Sequence, residues 1–257
     1  MNILCIGDIV GNSGCELLRR KLPELKREYK VDFCIVNGEN SAEGNGITPH
    51  SADHIFASGA DVITGGNHTL RRREVYEMLE ENEFLLRPAN LPDTVPGKGM
   101  CIADLGHTKI AVINLIGTVY MDSVDCPFRR LDKMVEKARG EGAKIIVVDF
   151  HAEATSEKRA LGIYADGKVT AFFGTHTHVQ TNDSMLLPEG TAYVTDIGMT
   201  GPRHSVLGVK PEIVITRMKD KIPGRFQNAE GKSALSGWLL SVERDGTVTD
   251  CQLINVM

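Results

Sequence analysis

Val169-Thr170-Ala171-Phe172-Phe173-Gly174-Thr175-His176-Thr177-His178 is a stretch of two halves. The first, Val169–Phe173, is a short apolar run, the pattern of a strand buried on both faces. The second is a glycine followed by histidines at i and i+2, which on an extended segment point to one side and can reach one centre. The same arrangement recurs along the chain. Ile3–Ile6 leads into Gly7-Asp8, Phe33–Val36 into Asn37-Gly38-Glu39-Asn40, and Asp61–Thr64 into Gly65-Gly66-Asn67-His68. Lys144–Asp149 leads into Phe150-His151-Ala152-Glu153. Ligands of open α/β folds bind at the carboxyl ends of strands. Strand ends that repeatedly offer Asp, Glu, Asn and His therefore predict one convergent site. Each piece alone has a blander reading, as a helix cap, a turn residue or a hydrogen-bonded core histidine. The combination is what chance explains poorly.

Outward from these strands, Lys109–Leu115 and Thr191–Thr195 also read as strands. Cys15–Tyr29 reads as a helix capped by Ser13, with Pro23 kinking or splitting it. Pro49–Ser58, Arg71–Asn82 and Arg129–Arg139 are further helices, with Gly59, Gly140 and Gly142 as stops. Trp238–Glu243 and Thr247–Ile254, joined at Asp245-Gly246, form a hairpin. Pro88–Gly99 and Gly198–Gly231, rich in glycine and proline, are expected as loops or a small cap. The class is α/β with mixed sheets, and residues 1–257 form a single domain.

Composition narrows the function. Hydrophobic residues make up 42% of the 257 and charged residues 25%, as in soluble globular chains. No apolar run reaches the roughly 20 residues that span a bilayer, and the N-terminus lacks the basic region of a signal peptide. Six cysteines without a CxxC pair suit free thiols in a reducing cytoplasm. A net charge of −5 argues against stable nucleic-acid binding. It also leaves a small anionic substrate without its counter-charge, unless a metal supplies it.

Other motifs fit worse. Gly7, Gly11 and Gly14 precede a helix, but their spacing is not that of a dinucleotide fingerprint. The His-Glu-x-x-His string is absent, as is a Gly-x-Ser-x-Gly elbow.

In their order along the chain, Gly7-Asp8, Gly38-Glu39-Asn40, Gly66-Asn67-His68, His151 and Gly174-Thr175-His176-Thr177-His178 resemble the calcineurin-like metallophosphoesterase superfamily. Three positions depart from its usual pattern. Val10 stands where a first-motif histidine is usual, Glu39-Asn40 fills the second motif, and Thr175 separates Gly174 from His176. These departures resemble the YmdB-like branch, over essentially the whole chain. The resemblance implies two mixed β-sheets packed as a sandwich flanked by helices. It implies Asp8, Glu39, Asn40 and His178 as ligands of one metal, with Glu39 bridging to a second held by Asn67, His151 and His176. It implies His68 as the catalytic histidine that is not a ligand. It implies phosphodiesterase activity on 2′,3′-cyclic nucleotides with iron or manganese.

The chemistry agrees with that assignment. Two divalent ions can activate a hydroxide and clamp a phosphoryl group for in-line attack. A bridge between them suits a carboxylate, because it has two equivalent oxygens and a charge. Mixed oxygen and nitrogen donors without thiolate suit Mn, Fe or Zn. His68 could protonate a departing ribose oxygen. Arg203 and His204 are candidate substrate contacts. Arg71, Arg72 and Arg73 read as a solvated helix start or as substrate contacts. His50, His54 and His107 read as surface or helix residues. Asp149 and Glu153 could orient His151. A phosphomonoesterase on the same centre, or a nucleotide-binding regulator with slow catalysis, would use the same residues. The reading leaves room for a homo-oligomer.

Overall fold

The computed structural model describes residues 1–257. Six of its strands form one mixed sheet ordered β5-β6-β7-β8-β10-β9. These are β5 (Met100–Asp104), β6 (Lys109–Ile116), β7 (Ile145–His151), β8 (Ala171–Thr175), β10 (Ala192–Val194) and β9 (Met185–Leu186). A second sheet runs β4 (Val62–Thr64), β3 (Val31–Asn37), β1 (Asn2–Ile6), β12 (Ser233–Val242). β13 (Val248–Val256) pairs along β12, while β11 (Met199–Pro202) joins the first residues of β12 and carries β2 (Asp8–Ile9) on its far side.

Three apolar clusters show how the layers stack. The first packs the long helix α1 (Gly11–Glu28) and α2 (Pro49–Ala57) on the β1–β3 sheet through Leu18, Leu22, Ile55 and Val36. The second lies between the sheets, where Ile3, Ile35 and Trp238 meet Val147 and Phe173. The third packs α4 (Pro127–Gly140) and α5 (Thr155–Ala165) on the other sheet through Leu131, Leu161 and Phe150. The expected two-sheet sandwich flanked by helices is what the chain adopts. Strands in this position carry apolar residues on both faces, which is why β1, β3, β7 and β8 read as continuous apolar runs.

Several local expectations change. α1 starts at Gly11 behind Val10, with no side-chain cap, and runs through Pro23 to Glu28, so Ser13 is not its cap. Arg71–Asn82 is not one helix but two short 3₁₀ turns followed by α3 (Tyr76–Glu81). α5 and β5 lie outside the elements that the sequence pattern marks. Gly198–Gly231, expected as loop or cap, contains β11 and α6 (Pro211–Asp220), and it lends residues to the main cleft. Pro88–Gly99 has neither helix nor strand. The glycines of the fingerprint-like run serve packing: a Cβ on Gly7 would lie 1.9 Å from Gly198 O, and one on Gly14 would lie 2.5 Å from Thr200 O. All six cysteines are free. No helix is long and apolar enough to cross a membrane.

Candidate metal centre

β1 and β2, β3, β4, β7 and β8 deliver their carboxyl ends to one place, where Asp8, Glu39 and His151 are completely buried. The hydrogen bonding of His151 reveals what the cluster is built to hold. Thr175 donates its single hydroxyl proton to Asp149 Oδ1 (2.7 Å), so its oxygen must accept from His151 Nδ1–H (2.9 Å). His151 Nε2 is then the ring position free to hold a proton or a metal ion. It faces Asn67 Oδ1 at 3.0 Å, His176 Nδ1 at 3.0 Å and Glu39 Oε2 at 3.3 Å. The ligand atoms of Glu39, His151 and His176 all lie within 4.8 Å of one another. Lone pairs aimed at one another need a cation between them. Separations near 3 Å match the edges of a coordination shell with bonds of roughly 2.0–2.2 Å.

His178 repeats the logic on the other side of Glu39. Its Nδ1–H donates to Leu207 O (3.0 Å), leaving Nε2 facing Asp8 Oδ1 at 3.5 Å. That oxygen of Asp8 is buried and has no hydrogen-bond partner. Asp8, Glu39, Asn67, His151, His176 and His178 thus bring together donors that suit a divalent cation, with Glu39, His151 and His176 the tightest group. Asn40 needs one adjustment. Its Nδ2 donates to Glu39 Oε1 (2.6 Å) and its Oδ1 faces His68 Nδ1 (2.8 Å). An amide ligates through oxygen, so service to an ion requires the group to turn about χ2.

The charges respond to this crowding. Burial works against the Glu39 carboxylate, yet His151 and His68 hold it well below the usual range. Burial likewise opposes the Asp8 carboxylate, and His178 and His151 bring it below its ordinary value. Burial pushes His151 down, but Glu39, Asp8 and Asp149 carry it up to about 9. His178 is raised against its burial by Asp8. His176 is lowered to about 4 by burial and by His151. A proton on His151 therefore offsets the charge of the carboxylates, and a metal would replace it.

Gly66 shows how close the backbone comes. A Cβ there would sit 2.4 Å from both Glu39 Oε2 and His151 Nε2, so only glycine fits. His68, on the same loop, binds Glu39 twice: its N–H donates to Oε2 (2.8 Å) and its Nδ1 lies 3.0 Å from Oε1.

His176 and His178 are not extended. Their φ angles are +92° and +62°, so a left-handed turn rather than strand alternation brings both rings to the centre. Thr177 between them is held by Asp196, which accepts from its N–H (3.2 Å) and its hydroxyl (2.6 Å). Asp196 is paired with Lys158 at 2.7 Å, both completely buried. The sequence gives little sign of this pair, because a helical lysine usually marks a solvated face. Asp149, pushed up to about 6 by burial, reaches His151 only through Thr175, while its other oxygen accepts from Thr64 and Asn37. Glu153 pairs with His176 Nε2 (2.9 Å) rather than with His151.

Other candidates fall away from the centre. Arg203 and His204 are exposed and do not line the cleft, and Arg203 turns to Met257. Arg72 braces the 43–45 turn through Glu43 O and Asn45 O, and Arg71 and Arg73 do not line the cleft. His50 is exposed, and His54 lies 3.7 Å from Glu16. His107 lines a separate surface hollow. The cleft over the metal centre has a volume of about 550 Å³ and includes Glu39, Asn40, His68, His176 and His178 in its walls.

Relatives carry the same architecture. A 2′,3′-cyclic-nucleotide 2′-phosphodiesterase of Bacillus subtilis (strain 168) is 46% identical over 243 residues, 95% of this chain and 92% of that protein. The crystal structure of a hypothetical protein from Thermus thermophilus superimposes with a TM-score of 0.93 at 38% identity, covering 99% of this chain and 98% of that one. That of a novel phosphatase from Mycoplasma pneumoniae gives 0.94 at 32% identity, covering 100% and 93%. The sequence profile of the YmdB-like protein family matches residues 4–254, and the chain belongs to that family.

Proposed function

We propose that this chain is a metal-dependent phosphodiesterase that opens 2′,3′-cyclic nucleotides, with Asp8, Glu39, Asn40, Asn67, His151, His176 and His178 holding two divalent ions and His68 acting as general acid. The observation that carries it is the pair of histidines, His151 and His178, whose Nδ1–H groups are committed and whose Nε2 atoms face buried carboxylate oxygens. Divalent ions there supply Lewis acidity to the phosphoryl oxygens and lower the pKa of a water. Nitrogen and oxygen donors without thiolate favour iron or manganese, with zinc next.

The chain's own residues supply the rest. Glu39 offers one oxygen to each side of the centre. Oriented imidazoles at His151 and His178 require no reorganisation on loading. The Nδ1 of His68 faces the oxygens of Asn40 and Glu39, which leaves Nε2 as the atom able to give a proton to the departing ribose oxygen. Hydrolysis adds one water to phosphorus, breaks one P–O(ribose) bond and leaves a phosphomonoester.

The test is a panel of 2′,3′-cyclic, 3′,5′-cyclic, linear diester and monoester substrates, assayed with and without added Mn²⁺ or Fe²⁺. The reading expects the highest kcat/KM on 2′,3′-cyclic nucleotides and loss of activity with chelator. Preference for monoesters would overturn it in favour of a phosphomonoesterase on the same centre.

A further inference from the structure

The cleft that exposes the metal centre also carries apolar side chains that the phosphoryl chemistry does not use. Val179, Leu207 and Phe226 line it and are 60%, 48% and 46% exposed. Single exposed apolar residues are common. These three instead share one cavity, and Phe226 is the one strongly exposed phenylalanine of the chain's eight. Burying such a ring favours folding, and the chain leaves it open beside its catalytic groups.

The shelf is built rather than loose. Gln227 O accepts from Lys210 N (3.0 Å) and Ala229 N donates to Gly208 O (2.8 Å), so the segment after Phe226 is laced to the segment after Leu207. The guanidinium of Arg217, from the end of α6, lies over the Phe226 ring at 4.9 Å from its centroid. Arg217 thereby covers part of the ring, which remains 46% exposed in the cleft wall. Leu207 adopts φ +53°, a left-handed conformation that is unfavourable for a leucine. Its carbonyl is the acceptor that orients His178, so one short loop carries both a shelf side chain and the support of a metal-facing histidine.

We propose that Phe226, with Leu207 and Val179, seats the heterocyclic base of the substrate by stacking. This deepens the phosphodiesterase reading and rests on it. The phosphate end of a ligand is fixed by the metal centre, and a cavity of about 550 Å³ leaves room for a nucleoside beyond it. A flat apolar ring reads a π-face rather than a hydrogen-bonding edge. The seat therefore selects for the presence of a base and discriminates little among bases.

The experiment compares adenosine 2′,3′-cyclic phosphate with methyl β-D-ribofuranoside 2,3-cyclic phosphate, which has the same diester and no base. In Phe226→Ala the KM for the adenosine substrate should rise by about 5- to 30-fold, with kcat held, while the methyl riboside changes by less than about twofold. Phe226→Trp should restore the adenosine KM. Equal loss on both substrates, or no loss on either, overturns the proposal. A binding arm separates it from the reaction reading: adenosine 3′-phosphate and ribose 3-phosphate are titrated into metal-loaded protein and followed by calorimetry. Tighter binding of the nucleotide that disappears in Phe226→Ala supports the seat even if neither diester is hydrolysed, in which case the reaction reading alone falls. Equal binding of both ligands overturns the seat even if both diesters turn over.

Discussion

Breaking the buried Lys158–Asp196 pair should show that the two metal-facing histidines are held by a clamp that touches no substrate. Removing one partner of a buried ion pair generally costs about 3–5 kcal/mol, because the other charge is left unpaired in a low-dielectric site. The two halves of this pair are not equally protected. In Lys158→Met, the Asp196 carboxylate keeps donors from Thr177 N, the Thr177 hydroxyl and Gly198 N. In Asp196→Asn, the Lys158 ammonium keeps the Thr177 hydroxyl at 3.1 Å and loses its counter-charge. Lys158→Met should therefore cost about 3 kcal/mol and Asp196→Asn about 5. At about 2–4 °C per kcal/mol for a chain of this size, Tm falls by roughly 6–12 °C and 10–20 °C respectively, read by calorimetry. The pH dependence has a defined sign. Burial already raises the Asp196 carboxyl above its ordinary value, and Lys158 opposes that rise. Without the lysine the native state binds a proton more readily than the unfolded chain. The Lys158→Met deficit should then shrink as pH falls and grow as pH rises. Asp196→Asn weakens the hold on Thr177 and with it the left-handed turn, so it should lose metal affinity, whereas Lys158→Met keeps both Thr177 contacts and should lose less. A Lys158→Met protein as stable as wild type, or less stable than Asp196→Asn, would rule out this division of charge between the two residues.

Glu39→Gln should lower occupancy of both metals, because an amide offers one ligating oxygen and no charge. Asn40→Ala should cost less, and equal metal content in Glu39→Gln and wild type would contradict the bridging role. His68→Ala should retain its metals and lose about 10²–10⁴ in kcat on a cyclic nucleotide, with a much smaller loss on bis-p-nitrophenyl phosphate, whose leaving group needs no proton. Equal losses on the two substrates would show that His68 only packs beside the centre. Since His151 is carried up to about 9, metal-free protein holds that proton at neutral pH and ligation must expel it. Calorimetric titration with Mn²⁺ in buffers of different ionisation enthalpy should report proton release at neutral pH that fades toward pH 9, and absence of release would contradict this protonation.

The sequence was most informative where one physical demand fixed the residue type. Strands covered on both faces had to be continuously apolar, so β1, β3, β7 and β8 were legible, and the polar residues after them stood out. Gly66 had to be glycine because Glu39 and His151 press against it. Parts of the site that depend on long-range partners were not legible. Lys158 looked like any helical lysine until Asp196, 38 residues on, met it in the core. Asp149 looked like a direct neighbour of His151, yet the chain places Thr175 between them. His176 and His178 suggested strand alternation, and the contacts of Thr177 impose a left-handed turn instead. Phe226 lies in a stretch whose glycines and prolines signal a loop or a small cap, so its place in the cleft has no local signature.

Metal content measured together with turnover tests directly whether the chain is a dinuclear, metal-dependent diesterase. Protein purified without chelator is assayed for hydrolysis of a 2′,3′-cyclic nucleotide and for Fe, Mn and Zn by elemental analysis. It is then stripped, and the metal is added back in fractions of an equivalent. The account predicts about two equivalents per chain, activity that vanishes on stripping, and recovery that is complete only as the second equivalent binds. Stripped protein that hydrolyses the cyclic nucleotide at the full rate would contradict it.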